Sequence, residues 1–305
     1  FQLQEVFFCM KKVIFTGSGV ALVTPFNPDM SVNYEALERL IEYQIENGTD
    51  AIITCGTTGE AATLSGEEHT KVIDFTIKKV NGRIPVIAGT GSNDTRFAVE
   101  LSKEAEALGA DGLLLVTPYY NKTSQRGLIE SFNRIADSVH IPCVVYNVPG
   151  RTGLNILPET YCELSKHPNI VATKEANHDV SALAKTMQLC GDELAVYSGE
   201  DVQTLPILAM GGKGVISVFA NVLPKEMHEL AAATLEGRLA DARAMTSRYV
   251  DLMNALFMDV NPIPVKAALN MMGFDCGRCR LPLTDMSAPM LGKLRAALGE
   301  HVKLA

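Results

Sequence analysis

The residue with the greatest chemical potential in this chain is Lys174. It lies in the run NIVATKEA at 169–176, where an apolar, β-favouring stretch leads directly into a lysine and then a carboxylate, Glu175. Burying an ammonium is expensive, so a lysine placed there must find a partner, lower its pKa or point into a solvated cleft. A lysine that has given up its proton is a nucleophile and forms Schiff bases with carbonyl substrates. The plainer alternative is an ion pair with Glu175, or a side chain that snorkels to the surface at the strand end.

Other polar residues follow apolar runs in the same way. Thr57 and Thr58 stand in CGTTGEAATL, Tyr119 and Tyr120 in TPYYNK, Tyr146 and Arg151 in VVYNVPGRTG, Gly199 in YSGED and Ile216 in GVISV. Taken singly, a threonine can bond to its own turn, a tyrosine can simply pack, and an arginine can make a weak surface pair. Together they form a set of hydroxyls able to move protons around an amine, with an arginine suited to a carboxylate. The sequence places no histidine or Asp/Glu cluster at these positions, which argues against a metal-dependent hydrolase.

These residues need elements to position them. Eight short, nearly continuous apolar runs are expected to be strands, at 20–24, 51–54, 85–88, 112–117, 142–146, 170–173, 195–198 and 214–218. Continuous apolar strands are those of a parallel sheet buried on both faces. Amphipathic helical patterns alternate with them, as at 33–47, 65–80 and 93–108, with Asn33, Ser65 and Asn93 or Asp94 as candidate N-caps and Gly48, Gly82 and Gly109 as stops. Eight such repeats predict a (β/α)8 TIM barrel, for which ~250 residues is typical. A doubly wound sheet is the alternative, weakened because GTGSND at 89–94 lacks the third glycine and follows the third strand. In a parallel barrel the active site is built at the C-terminal strand ends, where the polar residues named above fall.

After Glu236 the pattern is helical only, with segments at 238–257, 262–272 and 287–298. The expected organisation is a catalytic barrel over 10–237, a small C-terminal all-helical domain over 238–305, and a leading extension at 1–9 before a natural start at Met10. That extension lacks the basic start and cleavage site of a signal peptide.

Composition narrows the partners. The 305 residues carry a formal net charge of −8 with both signs dispersed, so no basic stripe recommends nucleic acid or an anionic membrane. No apolar stretch approaches the ~20 residues of a membrane span, and a cytoplasmic location is expected. The seven cysteines sit mostly in apolar runs, and Cys276 and Cys279 form a single C-x-x-C without a second pair, which makes a disulfide framework or metal site a poor reading.

GTTGE, PYYNK, YNVPGRTG, the lysine at the end of the sixth strand and GVIS resemble the class I pyruvate-dependent aldolases of the N-acetylneuraminate lyase superfamily, and within them the dihydrodipicolinate synthase family. The resemblance spans about residue 15 to the C-terminal helices. It implies a barrel with a C-terminal helical domain, usually a homotetramer, that condenses pyruvate with L-aspartate 4-semialdehyde in the diaminopimelate route to lysine, with no cofactor beyond a covalent pyruvate imine. Lys174 resembles the Schiff-base lysine, Tyr146 the hydroxyl handling protons at the imine, Thr57 its relay partner, and Tyr120 the residue reaching into a neighbouring subunit's site. Thr58 resembles the ligand of the pyruvate carboxylate and Arg151 the clamp for the semialdehyde carboxylate, while Gly199 and Ile216 match backbone positions lining the site. Sister aldolases acting on sugar acids share the lysine and tyrosine but resemble the chain less at Arg151 and the paired threonines. A barrel that only binds a metabolite is a further alternative, opposed by the intact set of hydroxyls.

In family members inhibited by lysine, an effector site lies at a subunit interface. His69, Asn93 and Tyr119 fit that pattern, but Gly66 and Phe97 stand where inhibited members carry a histidine and an acidic residue. Without a carboxylate at Phe97 a cationic effector loses a partner, so weak or absent lysine feedback is expected.

Overall fold

The computed structural model describes residue 11 and residues 13–304; the expected extension at 1–9 and the start at Met10 lie outside them. Eight parallel strands close into a barrel in sequence order: β1 Gly17–Ala21, β2 Ala51–Thr54, β3 Val86–Gly89, β4 Gly112–Val116, β5 Cys143–Asn147, β6 Ile170–Glu175, β7 Ala195–Ser198 and β8 Gly214–Ser217. Pairing of β1 with both β2 and β8 closes the ring and rules out the open doubly wound sheet.

Two strands differ from the sequence expectation in ways that matter. The first begins at Gly17 rather than at residue 20, because the glycines of GSGVA serve packing and not a turn. A Cβ at Gly19 would lie 2.7 Å from Ile53 Cδ1 and 2.8 Å from the Phe15 ring, so only glycine fits there. The sixth runs two residues past the expected end at Thr173. Lys174 pairs with Tyr146 on one side and Tyr197 on the other, and Glu175 with Asn147 and Ser198, so both remain inside the ladder.

The helices of the barrel layer are α1 Tyr34–Glu46, α2 Gly66–Val80, α3 Thr95–Leu108, α4 Gln125–Ala136, α5 Pro149–Thr152, α6 Pro158–Leu164, α7 Val180–Cys190, α8 Thr204–Ala209 and α9 Pro224–Leu235. Asn33 caps α1, and Ser65 caps α2 in a reciprocal box with Glu68. Asp94, of the two candidates, caps α3 by accepting from the N–H groups of Arg96 and Phe97. The strands bury both faces. Outward residues such as Val145 and Ile170 pack under the helices, and inward ones such as Val144, Tyr146 and Ile216 fill the lumen, where Phe15 stacks on Tyr197 at 4.4 Å.

Three helices follow, α10 Leu239–Ala255, α11 Ile263–Met271 and α12 Ala288–Gly299. This segment is tied to the barrel rim rather than hung from it. Lys266 of α11 forms a buried ion pair with Glu60 at 2.9 Å, Arg280 pairs with Glu68 at 2.5 Å, and Asn261 donates to Thr58 at 3.0 Å. All three barrel partners lie on the connection after β2 or at the start of α2. The helical segment thus braces the loop that carries Thr57 and Thr58. Among the described residues no helix is long and apolar enough to cross a membrane.

Candidate active site

Lys174 faces the lumen near the C-terminal end of β6, beside its register partner Tyr146 on β5. It is only 6% exposed, and its Nζ lies 4.3 Å from the centroid of the Tyr146 ring. The expected alternative, a pair with Glu175, does not occur, because successive strand residues point to opposite faces. Glu175 turns outward, where it accepts from Asn147 Nδ2, the Tyr161 hydroxyl and the Asn177 N–H. Among the described residues the Lys174 amine has no ion-pair partner. Burial brings its pKa down to about 8; Glu200 and Asp201 pull it back up, and Arg151 adds to the lowering. An amine so placed is partly neutral near pH 8 and can act as a nucleophile.

Burial also pushes the Tyr146 phenol up to about 12, opposed by Arg151 and by the Thr57 hydroxyl, so the group enters the site as a proton carrier in its O–H form. Thr57, Tyr146 and Arg151 share a cavity of about 460 Å³ at the mouth of the barrel. Thr58 is buried beside it. Its Oγ1 accepts from Asn261 Nδ2, which leaves its own O–H free to donate to an anionic group. Arg151, on the short helix α5, gives one N–H to the Asn261 carbonyl at 3.0 Å and keeps its other donors unspent. Asn261 therefore links the threonine loop to the arginine, and its Oδ1 has no donor among the described residues.

Gly199 follows β7, where a Cβ would come within 2.9 Å of Ala176 Cβ and 3.0 Å of the Glu175 carbonyl; a side chain there would push apart the ends of β6 and β7. Ile216 is fully buried in β8. Tyr120 does not join this group within one chain. It is 94% exposed, on a left-handed backbone with φ +68°. His69, Tyr119, Gly66 and Phe97 line the outer part of the same cavity as Tyr146. His69 Nε2 is 2.7 Å from the Gly89 carbonyl, and Asn93 Nδ2 donates to the Tyr119 carbonyl at 3.2 Å. Of the expected effector residues, His69 and Tyr119 thus open into one cavity with Thr57, Tyr146 and Arg151, whereas Asn93 and Lys174 do not line it.

Over residues 14–301 the chain matches the model of the Dihydrodipicolinate synthetase family. The chain belongs to that family. The 4-hydroxy-tetrahydrodipicolinate synthase of Acetivibrio thermocellus is 55% identical over 96% of this chain and 99% of its own. That of Caldicellulosiruptor saccharolyticus is 56% identical over 94% and 97%. The crystal structure of dihydrodipicolinate synthase from Aquifex aeolicus superposes with a TM-score of 0.92 at 49% identity, covering 94% of this chain and 98% of that one.

Acidic residues stand at the strand ends singly: Glu175 at the end of β6, and Glu200 and Asp201 just after β7. They were legible as letters in KEA and YSGED, but not as neighbours of Lys174, because their separate facings come from the barrel. Asp201 is buried and bound to Ser217 Oγ at 2.5 Å and the Phe219 N–H at 2.9 Å, while Glu175 faces the helices. Among the described residues no three His, Cys, Asp or Glu converge as a metal site. Cys276 and Cys279 are free thiols, and burial pushes both up to about 12, far from the thiolate form. Asn261 was not singled out by its sequence; it opens the run Asn-Pro-Ile-Pro at 261–264, which marks a turn and says nothing of where the turn docks.

Proposed function

We infer that the chain is a lyase of the class I aldolase type that condenses pyruvate with L-aspartate 4-semialdehyde in lysine and diaminopimelate biosynthesis. The observation that carries this reading is a buried amine, without an ion-pair partner among the described residues, at the C-terminal mouth of a (β/α)8 barrel and set against a tyrosine. In its neutral form the Lys174 amine adds to the ketone carbon of pyruvate, and the carbinolamine loses water to give an iminium. The iminium withdraws electrons, so the methyl group gives up a proton and becomes the enamine carbon. That carbon attacks the aldehyde and forms the new C–C bond. The amino group of the adduct then displaces Lys174 and closes the ring.

In this reading Tyr146 and Thr57 carry protons at the imine, and Thr58 donates to the pyruvate carboxylate. Arg151 takes the carboxylate of the semialdehyde, for which a planar fork of N–H donors is well matched. Gly199 and Ile216 line the pocket with backbone. Tyr120 acts in a neighbouring subunit, and its exposure on a left-handed turn supports an assembly, which we take to be a homotetramer. No separate cofactor enters, because the electron sink is the pyruvate imine. Sugar-acid aldolase chemistry is the second reading, disfavoured because Arg151 is held next to the threonine loop through Asn261.

The test is borohydride reduction with pyruvate, followed by intact mass and peptide mapping. A pyruvyl adduct on Lys174, with turnover of aspartate semialdehyde and not of sugar aldehydes, is the expected result. A folded protein that yields no adduct would overturn the reading.

A further inference from the structure

Tyr146 and Lys174 are register partners, and the next pair along the same two strands is Asn147 with Glu175. Successive residues alternate faces, so this second pair lies on the helix side of the barrel wall, directly behind the reactive pair. Both residues are buried. Asn147 Nδ2 donates across the strands to Glu175 Oε1 and Oε2 at 3.0 and 3.2 Å. Tyr161 of α6 donates its hydroxyl to Oε2 at 2.7 Å, and the Asn177 N–H donates to Oε1 at 2.7 Å. The network reaches the loops beyond both strands. Asn155 Oδ1 accepts from Asn147 Nδ2 at 2.7 Å and from Asn177 Nδ2 at 3.1 Å.

A buried carboxylate with no ion-pair partner among the described residues is an expensive way to join two strands; an apolar pair would do so at least as well. Its place, one residue beyond the reactive pair on both strands, suggests another use. We propose that Glu175, held by Asn147 and Tyr161, is a positioning residue for the condensation: it clamps β5 to β6 from behind and fixes the approach of Tyr146 to the imine on Lys174. The proposal rests on the reading of Lys174 as the imine-forming amine.

The clamp needs an ionised acceptor. Three donors converge on Glu175, and a protonated carboxyl would add a fourth facing them. Burial raises its pKa to about 7 in spite of the bonds from Tyr161, Asn147 and Asn177. Of the titratable groups around it, Tyr161 on α6 bonds to it and Tyr146 on β5 lies on the other face of the wall; both are pushed upward by burial and stay neutral at that pH. Lys174 on β6 is consumed in the imine once pyruvate saturates. Glu200 and Asp201 after β7, also raised by burial, act on Lys174 through their charge, and Asp201 is held by Ser217 and the Phe219 N–H. At saturating pyruvate, turnover should therefore fall as the pH drops through about 7, as Glu175 takes up its proton.

Two variants test this. Glu175→Gln keeps the shape but turns an amide toward donors. We expect borohydride trapping and KM for pyruvate as in the wild type, kcat lower by about tenfold, and the acid limb of kcat abolished. Tyr161→Phe removes one donor from the carboxylate, which raises its pKa, so the limb should move to higher pH. A purely structural role would lower the melting temperature and leave kcat per trapped site and the limb unchanged; that result overturns the proposal. Should Glu175→Gln fail to fold, an unmoved limb in Tyr161→Phe is sufficient to overturn it. Loss of trapping in the wild type would instead strike at the reading of Lys174.

Discussion

Among the described residues two lysines are buried against aromatic rings, and they have opposite fates. Lys266 in α11 is 1% exposed, with its Nζ 4.2 Å from the Phe26 ring centroid. Its charge is fully answered by Glu60 Oε1 and the Arg278 carbonyl, each at 2.9 Å. Glu60 in turn accepts from the Arg280 N–H at 2.9 Å. Lys174, nearly as buried and as close to a ring, has no such partner among the described residues. The carboxylates that act on it do so at longer range, and Asp201 is already occupied by Ser217 and Phe219. An ammonium paired in this way holds structure together. An uncompensated one is pushed toward the free amine that carbonyl chemistry requires. Burial alone does not distinguish the two; the partner does.

Exchanging the two lysines separately should break the comparison cleanly. Lys174→Met should lower activity by at least about a thousandfold and abolish the borohydride adduct. The same change should leave thermal stability equal or higher, because it removes a buried amine that has no ion-pair partner among the described residues; differential scanning calorimetry checks this. Lys266→Met should do the reverse, costing about 3–5 kcal/mol in denaturant unfolding by stranding Glu60, while the folded fraction still forms the adduct. A stable Lys266→Met or an unstable Lys174→Met would contradict the distinction drawn here.

Smaller effects sharpen it. Arg151→Ala should raise KM for aspartate semialdehyde by about ten- to a hundredfold, with KM for pyruvate little changed, since one charge-assisted carboxylate contact is lost. For the free enzyme, kcat/KM for pyruvate should rise with pH and level off near 8, because below that value Lys174 is protonated and must lose its proton before attack. A profile flat from pH 6 to 9 would contradict the depressed amine. The smallest effect expected is that of added lysine. With Phe97 and Gly66 in the outer cavity, half-maximal inhibition should need more than about a millimolar, and submillimolar inhibition in initial-rate assays would show that another group supplies the missing charge.

Much of the site was legible in advance because strand ends carry a visible signal. A lysine closing an apolar run, tyrosines and threonines after other runs, and an arginine in a glycine-flanked turn are conspicuous in letters alone. The brace behind them was not. Lys266 sits in a helix whose spacing gives no hint of total burial, and Glu60 is one acidic letter in a turn. Their meeting across 206 positions is a product of how α11 docks on the rim. β1 was misplaced because glycine reads as a turn, while here Gly19 answers the ring of Phe15 and the methyl of Ile53.

The order of strands and helices, the closed parallel barrel and the residues offered to its mouth follow from the sequence, since hydrophobic period and turn chemistry are local properties. Facing and pairing do not. Glu175 adjoins Lys174 in the chain yet lies on the other side of the barrel wall, and Asn261 lies 110 residues from the arginine it holds. Whether a buried charge is answered depends on which atoms the closed barrel brings within 3 Å, and that distance exists only once the chain has folded.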